Sequence, residues 1–252
     1  MQENRRKEMA AYIARCKSVT MNQLCSEFNV SMNTIRADVS ALVKSGIAEK
    51  IYGGVRSTMQ QEVPMFTHRA KFRPDVKFSI ARAASGLIND GDTLFIDAGT
   101  TTMHMLGFIP AEKKITVITA NLHIISQAAA KPNIEVIVLP GTLNRRTNSL
   151  ADISTLEFLG HYNFKKAFMG ATSISADGKL NVKTYLEYEI KRQAIQQSET
   201  RYLLCDSSKY GNNSLMSYAD ISDINCLITD EDCPQELAEL CRIKDVQLIT
   251  AE

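Results

Sequence analysis

The sequence predicts an α/β protein in two parts, a small helical head and a larger domain with a mainly parallel sheet. Three observations carry that prediction. At 252 residues the chain exceeds one typical domain. Its charge divides unevenly: residues 1–57 hold nine Lys/Arg against five Asp/Glu, whereas the rest hold twenty against twenty-three. Beyond residue 74, short apolar runs alternate with amphipathic stretches, the pattern of buried parallel strands joined by helices. The division expected is a head over 1–57, a linker over 58–74 and a second domain over 75–252.

In the head, Met9, Tyr12 and Ile13 form the apolar stripe of a first helix. Thr20 and Gln23 make a capping box that opens a second helix carrying Leu24 and Phe28 inward. Asn29-Val30 is a tight connection, and Ser31 caps a third helix with Ile35, Val39, Leu42 and Val43 on its core side. Ser45-Gly46 stops it. The following I-A-E-K-I-Y-G-G-V-R reads as two short strands that form a wing. Two short helices on a tight turn with a wing beside them are the plan of a helix-turn-helix that grips double-stranded DNA.

Helical geometry places Asn33, Ala37, Ser40 and Lys44 opposite the core stripe, flanked by Thr34 and Arg36. Asn33 and Thr34 are candidates for base edges. Arg36 and Lys44, with Lys50, Tyr52 and Arg56 of the wing, are candidates for phosphates or the minor groove. Ser31 and Ser40 complete the candidate DNA face.

In the second domain, a helix from Pro74-Asp75 carries Val76, Ile80, Ala83, Ala84 and Leu87 on one face. Strands fit Thr93–Asp97, Ile115–Thr119, Glu135–Leu139, Lys166–Met169, Arg201–Cys205, Cys226–Thr229 and Val246–Ile249. Helices fit Thr101–Phe108, Leu122–Ala130, Ile153–Leu159, Tyr185–Ser198 and Gln235–Arg242. Ligands of parallel sheets gather at the carboxyl ends of strands. There the chain offers Asp97 with Gly99, Thr100, Thr101 and Thr102, then Asn121, Gly141 with Asn144-Arg145-Arg146, and Asp206 with Lys209, together with Glu187.

The run D-A-G-T-T-T joins a glycine that permits close backbone approach to hydroxyls and unpaired helix N–H groups, a cradle for phosphate. Lys209 and Arg145 or Arg146 suit a phosphate, and Asp97, Asn121 and Glu187 suit hydroxyls. Plainer readings stand beside these: Asp97 as a turn cap, Glu187 as the i,i+4 partner of Lys191, and Arg145-Arg146 as an exposed loop pair. His104 and His123 read as packing residues.

The six cysteines form no C-x-x-C, and no H-E-x-x-H or G-x-G-x-x-G occurs. Reduced thiols, no metal site and no cofactor are expected. No apolar run approaches the ~20 residues of a membrane span, and M-Q-E-N-R-R-K-E lacks a signal-peptide core. A cytoplasmic, nucleoid-associated protein without a membrane partner is expected.

The segments V-S-M-N-T-I-R-A-D-V-S-A-L and G-I-A-E-K-I-Y-G-G-V resemble the winged helix-turn-helix of DeoR-family bacterial transcription regulators. I-D-A-G-T-T-T, G-A-T-S-I, E-Y-E-I-K-R, D-S-S-K-Y-G and L-I-T-D resemble that family's C-terminal domain in order and spacing. The resemblance implies a regulator, most often a repressor, of a sugar or polyol catabolic operon, and no enzyme. It implies a phosphorylated sugar or polyol effector. The sensor fold it implies is like that of ribose-5-phosphate isomerase and CoA-transferases. A homo-oligomer, dimer or tetramer, is expected because paired heads read repeated half-sites.

The sequence departs from the family pattern at Ala37, where many members carry a second arginine. It departs again at Thr119–Asn121, Pro140-Gly141 and Ser173. The competing readings are a sugar-phosphate isomerase with an appended head, and a DNA binder whose second domain only oligomerises.

Overall fold

The computed structural model describes residues 2–16, 18–45, 47–57 and 65–252. The chain divides into two compact units, Met1–Glu62 and Val63–Glu252.

The N-terminal unit contains α1 (Gln2–Cys16), β1 (Ser18–Thr20), α2 (Met21–Phe28), α3 (Met32–Lys44), β2 (Ala48–Ile51) and β3 (Gly54–Ser57). Its core is Met9 and Ile13 of α1, Leu24 of α2, Ile35, Val39 and Leu42 of α3, and Val19, Ala48 and Val55 of the strands. The capping box is formed: Gln23 donates its backbone N–H to the Thr20 hydroxyl at 3.2 Å, and Thr20 donates its own to Gln23 Oε1 at 2.9 Å. Asn29 turns the chain at φ 49°, in the left-handed region that asparagine tolerates. Gly46, read as part of the stop of α3, lies outside the described residues, and α3 ends at Lys44 with Ser45 as its C-cap.

The wing holds a strand that the sequence reading missed. β1 pairs antiparallel with β3, placing Val19 opposite Val55, so the sheet has the order β1-β3-β2. Gly54 permits this pairing, because a Cβ there would come within 2.3 Å of the Val19 carbonyl oxygen.

The C-terminal unit opens with α4 (Phe66–Lys71) and α5 (Pro74–Ser85). This corrects part of the linker reading of 58–74: residues 58–64 lie outside the described residues, but 66–71 are helical and Phe66 is buried. A run of β4 (Thr93–Ile96), β5 (Ile115–Thr119), α6 (Leu122–Ala128), β6 (Ile134–Val138), β7 (Leu143–Asn144), β8 (Ser149–Leu150) and α7 (Ile153–Leu159) follows. Then come β9 (Phe164–Met169), β10 (Ser173–Ile174), β11 (Lys179–Val182), α8 (Tyr185–Gln196), β12 (Ser198–Leu204), β13 (Met216–Asp220), β14 (Cys226–Asp230), α9 (Gln235–Ile243) and β15 (Gln247–Ala251). The helix expected over Thr101–Phe108 is a 3-10 helix, Thr102–Phe108.

Seven strands form one sheet in the order β15-β14-β12-β9-β4-β5-β6, and every described pairing in it is parallel. Two apolar clusters cover its faces. In β4, Leu94 and Ile96 join the cluster with Ile80, Ala81 and Ala84 of α5, whereas Phe95 joins the one with Leu159, Ala194 and Leu237. Burial on both faces explains why these strands read as near-continuous apolar runs. The sequence reading missed the two small antiparallel additions, β10-β11-β13 and β7-β8.

The order of the central strands sets the position of the site. From β4 the chain moves outward through β5 and β6, then returns to β9 on the other side of β4. The loops after β4 and β9 therefore part in opposite directions, leaving a crevice at a topological switch point.

Candidate functional site

The crevice is a cavity enclosing about 1040 Å³, its open mouth included. Asp97 and Gly99–Thr102 line it after β4, Ala120 after β5, Leu139 after β6, Gly170-Ala171-Thr172 after β9, and Cys205-Asp206 with Lys209 after β12. Thr184, Leu186, Glu187, Ile190 and Lys191 close it from α8.

The D-A-G-T-T-T loop holds itself together. Thr102 donates its hydroxyl to the Asp97 carbonyl at 2.6 Å and accepts the Gly99 N–H at 3.0 Å. Thr102 is thus occupied within the loop, while Thr100 and Thr101 line the cavity beside it. Asp97 spans the switch point: its Oδ2 accepts the Gly170 N–H at 2.9 Å and pairs with Lys191 Nζ. Lys191 also donates to the Gly170 carbonyl at 3.0 Å and lies over the Tyr218 ring. The pair is nine-tenths buried on both sides. Asp97 is therefore an ion-pair partner and not merely a turn cap, and Lys191, read only as a neighbour of Glu187, belongs to the cavity.

Glu187 lines the cavity and caps its own helix end through Thr184, whose hydroxyl donates to Glu187 Oε2 at 3.0 Å. Lys209 lines it from the turn after β12. Asp206, 2% exposed, accepts the Ser208 N–H at 3.2 Å, and its other carboxylate oxygen has no partner among the described residues.

Three candidates stand elsewhere. Asn121 is fully buried but does not line the cavity: its Oδ1 accepts the His123 N–H at 3.0 Å and its Nδ2 donates to the Gly99 carbonyl at 3.2 Å. It positions the loop and caps α6. Gly141, at φ 143°, is pressed against Ala151, where a Cβ would meet backbone at 2.7 Å. Arg145 is exposed and outside the lining; Asn144 and Thr147 line the cavity from that hairpin.

In place of Arg145 the cavity receives Arg69 from α4 and Lys77 from α5, which the sequence reading did not single out. Burial lowers Arg69 from its ordinary value, opposed by the nearby Glu187 and Asp97 carboxylates. Lys77 is 2% exposed and donates to the carbonyls of Arg69 and Phe72. Burial brings its ammonium down to about 8; Asp206 opposes this, and the cations Lys209, Arg69 and Arg73 add to it.

The two histidines do pack. His123 stacks on Phe66 at 4.8 Å between ring centres, and His104 meets Phe78 edge-on at 5.9 Å. The six cysteines are free; burial pushes Cys205 up to about 12 and Cys226 and Cys241 up to about 11, far from reactive thiolates.

On the N-terminal unit, Asn33, Arg36, Ala37, Ser40 and Lys44 are exposed on α3, and Thr34 is half-buried. Ser31 is exposed and accepts the Thr34 N–H at 3.4 Å as the N-cap. Lys50, Tyr52 and Arg56 are exposed on the wing, with Arg56 paired to Glu49 at 2.7 Å. The opposite side of α3 holds a group missed in the sequence. Asp38 is fully buried and receives Arg5 Nε and Arg6 Nε from α1, each at 2.7 Å.

A winged helix-turn-helix unit followed by a parallel α/β unit with a cation-lined cavity is the composition of a ligand-responsive transcription regulator. Residues 5–61 match the DeoR-like helix-turn-helix domain, and residues 73–231 match the DeoR C terminal sensor domain. The chain belongs to the DeoR family of helix-turn-helix transcriptional regulators.

It is 37% identical over 234 residues, 93% of each chain, to the HTH-type transcriptional regulator IolR of Bacillus subtilis (strain 168). It is 30% identical over 252 residues, all of this chain and 97% of the other, to the HTH-type transcriptional repressor GlcR of the same organism. It is 27% identical over 230 residues, 91% of each, to the glycerol-3-phosphate regulon repressor of Escherichia coli (strain K12). Among solved structures it is similar to ribose 5 phosphate isomerase A from Neisseria gonorrhoeae, at 16% identity over 53% of this chain and 52% of that one. The TM-score is 0.39, which leaves the fold assignment resting on the sheet itself.

Proposed function

We propose that the protein is a cytoplasmic repressor of a sugar or polyol catabolic operon, that it binds double-stranded operator DNA as a homo-oligomer, and that a phosphorylated sugar or polyol in the cavity controls it. The observation that carries this reading is the cavity itself: the Gly99–Thr102 loop and the cations Arg69, Lys77, Lys191 and Lys209 line it alongside Asp97, Glu187 and Asp206. Cations and a threonine-rich loop suit phosphate, and carboxylates suit hydroxyls. The name of one relative, the glycerol-3-phosphate regulon repressor, supports a phosphorylated polyol as effector class. The effector acts by binding more tightly to one arrangement of the protein than to another.

A thermal-shift panel of sugar and polyol phosphates, each beside its unphosphorylated parent, tests the ligand reading. A true effector at a hundred times its Kd stabilises the protein by about 2.7 kcal/mol, and its parent leaves the melting temperature unchanged. No shift with any phosphate would leave the C-terminal unit as an oligomerisation body. Turnover of the bound phosphosugar would make it an enzyme.

Binding to DNA is expected to weaken steeply with salt. Lys44→Ala and Lys50→Ala should each reduce the slope of log K against log salt by about 0.9 for every DNA phosphate left without its lysine. Asn33→Ala should instead leave the slope intact and relax base preference by about 1–3 kcal/mol at one position of each half-site. Titrations of fluorescent DNA across salt read both, and a salt-independent complex would sink the DNA reading.

A further inference from the structure

We propose that α4 supplies the anion subsite of the cavity, with the Arg69 guanidinium and the Lys77 ammonium binding the phosphate of the effector. This rests on the cavity being the effector site proposed above.

Residues 62–72 fall between the two matched regions. Yet α4 is built into the cavity wall. Phe66 donates its N–H to the Arg146 carbonyl at 2.9 Å and stacks its ring on His123 at 4.8 Å. Lys77 fastens the other end by donating to the carbonyls of Arg69 and Phe72. An ammonium has three donors, and among the described residues two of those of Lys77 go to these carbonyls.

The charge arrangement points to an anion. Lys191 pairs with Asp97, Arg73 pairs with Asp230 at 2.6 Å and Asp232 at 2.9 Å, and Arg69 feels the Glu187 and Asp97 carboxylates. Arg69, Lys77 and Lys209 line the cavity beside Glu187 and Asp206. The ammonium of Lys77 is lowered chiefly by burial, with Asp206 opposing and three cations adding to it, and an arriving phosphate favours its charged form. Because α4 follows residues 58–64 in the chain, a phosphate held by Arg69 fixes the first described element after the DNA-binding unit.

Hydrogen–deuterium exchange and calorimetry on the full chain test this, with inorganic phosphate and a panel of five- and six-carbon sugar phosphates as probes. In the parent, a binding probe is expected to slow exchange at residues 66–72 as well as at 97–103. Arg69→Gln is expected to lose at least tenfold in affinity and the slowing at 66–72. Arg69→Lys, which keeps the charge, is expected to recover most of the affinity. That rescue separates a role in binding from a role in folding α4.

Binding with protection at 97–103 but none at 66–72, and Arg69→Gln within twofold of the parent, would overturn the inference while leaving the effector reading intact. Arg69→Lys as weak as Arg69→Gln would also overturn it. A parent that binds no phosphate probe would remove the effector reading first, and the inference with it.

Discussion

Replacing Lys191 by methionine is expected to lower the stability of the C-terminal unit by about 3 kcal/mol, the scale of breaking a buried ion pair from one side. The Asp97 and Lys191 side chains are only 10% and 9% exposed, so water cannot take the place of the missing partner. Asp97 would keep its hydrogen bond from Gly170 but lose the ammonium it is paired with directly. For a unit of this size, such a loss corresponds to a fall of about 6–12 °C in melting temperature. The double variant Asp97→Leu/Lys191→Met is expected to regain much of the loss, since apolar replacement of a whole buried pair is often neutral. Circular-dichroism melts of the parent, both single variants and the double variant give the coupling energy. A Lys191→Met protein melting within 1 °C of the parent would show that the pair does not bind the switch point together.

Asp38→Ala is expected to have the larger consequence for DNA binding, although Asp38 lies on the inner side of α3. Its carboxylate fastens α3 to Arg5 and Arg6 of α1. The arginines are 25% and 34% exposed and can rehydrate, so the cost is below that of a fully buried pair, about 2 kcal/mol. In a unit this small, that is about 8–16 °C of melting temperature and a large part of the total stability. Burial by itself pushes the Asp38 carboxyl up; the two guanidiniums outweigh it and hold the group below its ordinary value of 3.8. Since the folded value is the lower one, the stabilisation is complete above about pH 4 and is lost as pH falls beneath it. Melts of the N-terminal unit's signal at pH 3 and pH 7 should therefore differ less in Asp38→Ala than in the parent. Equal pH sensitivity in the two proteins would refute the clamp.

The sheet was legible in the sequence because its chemistry is one-dimensional. All seven strands of the large sheet are legible, Ile115–Thr119 at both ends, because several of them, β4, β5 and β14 above all, are buried along nearly their whole length and read as near-continuous apolar runs. β1 was not legible: three residues, two of them exposed, show no period, and the strand exists only because β3 lies beside it. α4 was hidden by its composition, since F-T-H-R-A-K is a polar stretch whose single deeply buried ring, Phe66, finds its partner on α6.

The site divides along the same line. The loop at Gly99–Thr102 announces itself locally, whereas cations on amphipathic helices look like solvated faces in a sequence. Lys77 stands beside Val76 and Lys191 beside Ile190, and only the fold turns them inward. Asn121 and Gly141 mark the opposite error. Their residue types suggested ligand contact, but a helix cap and a tight backbone approach had already claimed them.

The packing of α4 bears on how regulators of this kind are recombined. Matched limits invite a junction at residue 73, where the match to the sensor domain begins. A chimera joined there would carry the sensor away without Arg69 and without the ring that rests on His123, leaving one wall of the cavity with the discarded donor. A junction ahead of Phe66 transfers the cavity lining whole. In this chain the exchangeable part begins several residues earlier than similarity alone would draw it.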